Sequence, residues 1–262
     1  MERVLVQRTL IIACGALARE ITAIIKADGL SHLALRCLPA TLHNRPELIA
    51  EAVRRAIEDS RGIYHEIYVA YADCGTGGAL DRVLTEQRVE RLHGPHCYAS
   101  FAGQKPFEAL AEAEPGSFYL TDFLVRQFET LIIRGLGIDR HPELRDLYFA
   151  NYRRLVYLAQ TDDAALTARA EAAAARLGLA FERVPTGMGE LGSFVRAAAK
   201  GALDGRADDS LLARHPRASD RQGRPQNCQA PVARALRAGH RSRGHAGKAH
   251  RDRRISRPVA EV

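Results

Sequence analysis

Short apolar runs alternate with amphipathic stretches through most of this chain. Residues 8–15 (RTLIIACG) form an apolar run that ends in a Cys-Gly turn and predicts a buried strand. A helix follows over 16–28, with Leu17, Ile21, Ile24 and Ile25 on one stripe, and Gly29 stops it. The segment 32–39 (HLALRCLP) alternates as a strand does. Over 46–60, Leu48, Ile49, Ala52, Val53, Ala56 and Ile57 share one helical face, with Pro46 in the first turn where its missing N–H is harmless. A third strand over 66–73 (EIYVAYAD) breaks into Cys74-Gly-Thr-Gly-Gly78 and a helix over 79–87. Further strands are predicted at 89–92, 117–121, 155–160 and 181–184. Helices are predicted at 107–113, 123–134, 142–152 and 164–177.

Strand–helix alternation at this spacing implies right-handed crossovers. The fold class that follows is α/β, a mostly parallel sheet with helices on both faces, Rossmann-like and three-layered. Ligands of such sheets bind beyond the carboxyl ends of the strands. We expect a single domain over residues 1–200, followed by a different kind of segment.

Charge marks that boundary. Residues 1–200 carry a net charge of −1 and residues 201–262 a net charge of +8, so the overall +7 belongs to the tail. All Phe and Tyr lie in the body. A segment so poor in apolar side chains buries too little surface to offset its chain entropy. Three readings of the tail stand open: a solvated basic extension, a shifted reading frame in GC-rich DNA, and a nucleic-acid-binding arm. The last has the charge but no aromatic residues to stack on bases, so nucleic acid is not the expected partner. No apolar run has the ~18 residues of a membrane span. Five irregularly spaced cysteines, with no export signal at the start, fit reduced thiols and a cytoplasmic setting.

The chemistry-bearing residues collect at predicted strand ends. Cys14 ends strand one, Cys37 stands near the end of strand two ahead of His43 and Asn44, Asp73-Cys74 ends strand three, and His96-Cys97 follows strand four. Cys14 and Cys74 each precede a helix, whose N-terminal dipole favours a thiolate. Cys14, Cys74, His96 and Cys97 are therefore candidate metal ligands, for zinc first and an iron–sulfur cluster second. No CxxC or HExxH pair supports a local chelate. The opposing view is that each cysteine is a small inert core residue.

The loop Gly75, Thr76, Gly77, Gly78 suits an anionic substrate held by backbone amides, or is a tight turn that needs glycine for steric reasons. Asp122 and Arg126 fall on one helical face, as an ion pair or as an anion-holding group at the same edge. Cys74 could instead act as a thiol nucleophile with His96 or His141 as base. A third possibility is a metal-free binding module built on the glycine loop.

Six motifs then occur in order: Ala13-Cys-Gly-Ala-Leu17, Leu38-Pro-Ala-Thr-Leu-His-Asn-Arg-Pro46, Tyr71-Ala-Asp-Cys-Gly-Thr-Gly-Gly-Ala-Leu-Asp81, Arg91-Leu-His-Gly-Pro-His-Cys-Tyr98, Thr121-Asp-Phe-Leu-Val-Arg126 and Leu136-Gly-Ile-Asp-Arg-His-Pro-Glu-Leu144. Together they resemble the bacterial and archaeal domain of unknown function 1638 family, over about residues 8–190. The final sixty or so residues do not resemble it. The family name carries no activity. The company its genes keep implies a place beside corrinoid-dependent methyltransferase systems, hence a metal-dependent transferase or an accessory of methyl transfer, with a corrinoid protein as partner.

Overall fold

The computed structural model describes residues 9–201. The basic tail lies outside the described residues, and with it the three readings of that segment. The described residues fall into two compact units, 9–104 with 187–201, and 105–186.

The first unit opens on β1 (Thr9–Cys14), buried along its whole length. A 3-10 turn at Gly15–Leu17 leads into α1 (Ala18–Ala27), which buries Ile21 and Ile24. β2 (Leu33–Leu38) follows, then 3-10 turns at Ala40–Asn44 and Pro46–Leu48. The helix predicted from residue 46 becomes α-helical only at α2 (Ile49–Ser60), which buries Ile49, Val53, Ala56 and Ile57. β3 (Glu66–Ala70), α3 (Ala79–Gln87) and the two-residue β4 (Glu90–Arg91) complete the alternation, and α4 (Cys97–Ala102) adds a short helix that the periodicity did not predict.

All pairing is parallel, in the order β2-β1-β3-β4. The chain moves outward from β1 to β2, then crosses back to β3 and continues to β4. With right-handed crossovers that reversal puts α1 on one face and α2 with α3 on the other, and α2 does pack against α3. The strand order reverses between β1 and β3, so their carboxyl ends flank the sheet's topological switch point, where ligands of open α/β sheets bind.

The second unit holds α5 (Gln104–Ala113), β5 (Ser117–Thr121), α6 (Asp122–Gln127), α7 (Leu144–Phe149), β6 (Arg154–Ala159), α8 (Ala164–Leu177) and β7 (Ala180–Pro185). Its parallel order is β5-β6-β7. Alternate residues of β5 bury on opposite faces. Tyr119 meets Phe107 of α5, with ring centroids 4.9 Å apart, while Phe118 packs edge-on to Phe149 of α7 at 5.1 Å. The helix predicted over 123–134 is not uniform, because α6 passes into a π-helical segment at Phe128–Arg134. The chain then returns to the first unit as α9 (Gly189–Ala199), unpredicted by the spacing, which packs with α1 and α4.

The fold is α/β, with parallel sheets of four and three strands and helices packed on them. Among the described residues no helix is long and apolar enough to cross a membrane.

Candidate functional site

At the switch point of the first unit the parallel register sets Ala13 opposite Ala70, so the next residues, Cys14 and Tyr71, leave their strands side by side. Gly15 fits closely here: a Cβ at this position would sit 3.0 Å from the Leu38 carbonyl oxygen of β2, tighter than most such contacts. Cys14 Sγ accepts from Ala16 N–H at 3.3 Å and thereby caps the 3-10 turn. His43, in the 3-10 turn after β2, lies over this pair. Its ring stacks on Tyr71 with centroids 6.3 Å apart and planes 14° from parallel. His43 Nδ1 lies 3.2 Å from the Ala40 carbonyl oxygen and 3.6 Å from Cys14 Sγ. A carbonyl only accepts, so the Nδ1 proton points at Ala40.

Tyr71 is 1% exposed, and its hydroxyl has no well-formed hydrogen bond. The Cys14 thiol beside it acts on it electrostatically and offers its sulfur as a weak acceptor. Burial, then the neighbouring Cys14 and Cys74 thiols, hold the Tyr71 hydroxyl far above its ordinary range, so it stays protonated and remains a donor. Burial also pushes the Cys14 thiol up to about 11. This is the reverse of the thiolate expected from its place before a helix. Desolvation outweighs the Ala16 N–H and the Tyr71 hydroxyl, which both favour the charged form.

Cys74 ends the segment after β3 in the left-handed region, at φ 49°, a conformation that costs a non-glycine residue of order 1 kcal/mol or more. Its N–H donates to the Pro95 carbonyl oxygen at 2.8 Å, and that of Asp73 donates to Gly94 at 3.1 Å. These two bonds tie the turn to the loop after β4. The side chain is 9% exposed.

The glycine loop beyond carries its own anion. Asp73 accepts from Thr76 Oγ1 at 2.6 Å, from Gly78 N–H at 3.0 Å and from Gly77 N–H at 3.2 Å. The amides expected to cradle a substrate's negative group are turned onto a carboxylate of the same loop. The tight turn is what the geometry displays.

The second unit builds a different cluster where its strands end. Asp122, 0% exposed, accepts from Thr161 Oγ1 at 2.5 Å, Tyr157 Oη at 2.7 Å and Gln160 N–H at 3.1 Å. Its own N–H donates to Gln160 Oε1 at 2.7 Å. Arg126 Nη2 lies 3.5 Å from Asp122 Oδ2, so the i,i+4 pair is present. Burial, and the bond to Asp122, push the Tyr157 hydroxyl well above its usual range.

A family model described as "Protein of unknown function (DUF1638)" matches residues 37–195, more than half of the chain. The chain belongs to the DUF1638 family. No curated protein and no solved structure matches it. The matched span of this DUF1638 chain includes His43, Tyr71, Cys74 and Asp122, and begins after Cys14.

The expected metal centre is not assembled. Among the described residues of this DUF1638 protein, no group of three or more His, Cys, Asp or Glu side chains is placed to hold a metal ion. The physical reasons are local. His96 turns Nδ1 toward Ala99 N–H at 3.4 Å as the cap of α4, and its ring lies against Tyr98. Cys14 is committed to Ala16 N–H and His43. Cys97 is the first residue of α4 and is half-buried, while Cys37 is exposed on β2. His141 belongs to the second unit, 62% exposed, with Nδ1 3.4 Å from Glu143.

Two residues of the DUF1638 switch point escaped the sequence argument. His43 carried a usable signal, since it stands just beyond a strand's carboxyl end. Tyr71 carried none, because a tyrosine closing an apolar strand reads as core.

Proposed function

We propose that the first unit binds a small carbonyl compound at the β1/β3 switch point and that Cys74 is the nucleophile there. The observation that supports this best is the left-handed backbone of Cys74 in a strand-to-helix turn at that edge. Strained residues of this kind gather at active sites, and nucleophiles often sit on such turns. The buried Tyr71 hydroxyl supplies the second group, a donor whose neighbour is the weakly accepting Cys14 sulfur and which has no well-formed hydrogen bond. In the step proposed, the Cys74 S–H bond breaks and its electron pair forms an S–C bond to the carbonyl carbon. The carbonyl π pair moves onto oxygen, which takes up the proton and accepts the hydrogen bond of Tyr71. No oxidant, metal or leaving group is needed.

A second reading, non-covalent binding of an uncharged ligand, draws support from the high Cys14 thiol and the neutral Tyr71 beside it. Iodoacetamide labelling of the full-length protein between pH 6 and pH 9, read by peptide mass spectrometry, separates the two. The nucleophile reading expects Cys74 to label at least as fast as exposed Cys37 despite its burial, and a small aldehyde to protect it. Labelling of Cys74 only after unfolding overturns that reading and leaves the non-covalent one. The methyl-transfer setting and the corrinoid partner implied by the family resemblance form no part of this proposal.

A further inference from the structure

The second unit holds an unfinished cation. A guanidinium presents two parallel N–H bonds along its side, from Nε and Nη2, which match the two oxygens of a carboxylate or phosphate. Arg183 on β7 uses only one of them. Its Nη2 donates to Asp162 Oδ1 at 2.9 Å, while its Nε is buried and has no acceptor. Leaving a buried charged donor unpaired costs more than leaving a neutral one. The group that fills the other tooth holds on weakly, because the Asp162 side chain is 100% exposed and water competes for it.

The neighbours leave the fork incomplete. Arg183 stands opposite Tyr157 in the β6/β7 register, and the Tyr157 hydroxyl already donates to Asp122. Asp122 in turn is engaged by Thr161, Tyr157, the Gln160 N–H and Arg126. That buried carboxylate therefore already has four partners. Arg183 lies two residues before the end of β7, at the carboxyl edge of a parallel sheet, where such folds take their ligands.

We infer that the second unit binds an oxyanion, a carboxylate or a phosphate group, on the Nε/Nη2 edge of Arg183, with Asp162 as the exchangeable occupant that the ligand displaces. Rotation of the exposed Asp162 side chain into solvent releases Nη2 to the incoming group. At the guanidinium one anionic partner replaces another, and two hydrogen bonds form where one stood.

The test is calorimetric titration of the full-length protein with inorganic phosphate, and separately with acetate, at constant ionic strength. Asp162→Asn keeps the side chain's size and removes the competing charge, and it should tighten binding several-fold. Arg183→Lys keeps the positive charge and removes the fork, and it should weaken binding about tenfold or more. Phosphate held by the basic residues beyond 201 is indifferent to both changes, which sets the background. A preference for phosphate assigns the site to phosphorylated ligands, and a preference for acetate to carboxylic acids. Binding that survives Arg183→Lys unchanged overturns the inference. So does an Asp162→Asn variant, folded by its thermal transition, that binds no more tightly than the parent.

Discussion

Replacing Asp122 with alanine should be among the costliest single changes in the second unit. The carboxylate accepts from Tyr157 Oη and Gln160 N–H in fully buried bonds, and from Thr161 Oγ1 in a partly buried one. Alanine leaves the first two donors buried and unmet, at about 1–3 kcal/mol each. Thr161 can turn toward solvent and adds little. Arg126, one-fifth exposed, loses a partner that stood 3.5 Å away and adds to the loss. Relief of the buried carboxylate's own desolvation offsets part of the loss. The sum is about 3 kcal/mol, a large fraction of a typical domain's stability. Hydrogen exchange of the β5 and β6 amides reads this unit by itself and should show that loss as faster exchange. Tyr157→Phe alone should cost about 1 kcal/mol, and the double variant less than the two singles together, because they share one bond. A loss below about 1 kcal/mol for Asp122→Ala, or strict additivity with Tyr157→Phe, refutes the claim that this carboxylate holds the ends of β5 and β6 together.

Two further outcomes follow from the first unit. The Cys14 thiol sits at about 11 in the folded protein against an ordinary 9.0, so the folded state holds this proton more tightly than the unfolded chain. Stability from this group is therefore intact below pH 9 and falls as pH rises from 9 to 11, by on the order of 2 kcal/mol. Urea midpoints of a Cys14→Ala variant should flatten across that window, and a slope equal to the parent's counts against the burial argument. Asp73→Ala should cost about 1–2 kcal/mol by freeing Thr76, Gly77 and Gly78, and should let added phosphate raise the melting temperature more than it does in the parent. An equal phosphate response in both proteins shows that the loop amides are not what Asp73 holds.

The fold was legible to the extent that each element declares itself locally. Ser117–Thr121 and Ala164–Leu177 stand where periodicity put them, because a short Phe-Tyr-Leu run between Ser and Thr reads as a strand and a long alanine-rich stripe as a helix. The shift to a π-helix at Phe128 could not be read from spacing, since both helical forms bury similar stripes. Parallel register was equally hidden. It sets Cys14 against Tyr71, and nothing in either residue's own neighbourhood announces the other. The strand-end argument set Cys14 at the end of β1 and Cys74 just after β3, where they stand, but did not foresee the burial of Cys14. A thiol before a helix gains from the dipole, yet for Cys14 burial costs more. His96 illustrates the same limit: a histidine preceding a helix reads as a ligand or as a cap, and here it caps.

The Asp73 carboxylate has one more implication. A glycine-rich turn that waited on a visiting phosphate to align its amides would be shaped only when loaded, and its posture would track the supply of that visitor. This turn brings a permanent counter-ion, so the backbone angle at Cys74 is set at folding and held through every encounter. Whatever arrives at that edge meets a sulfur already in place.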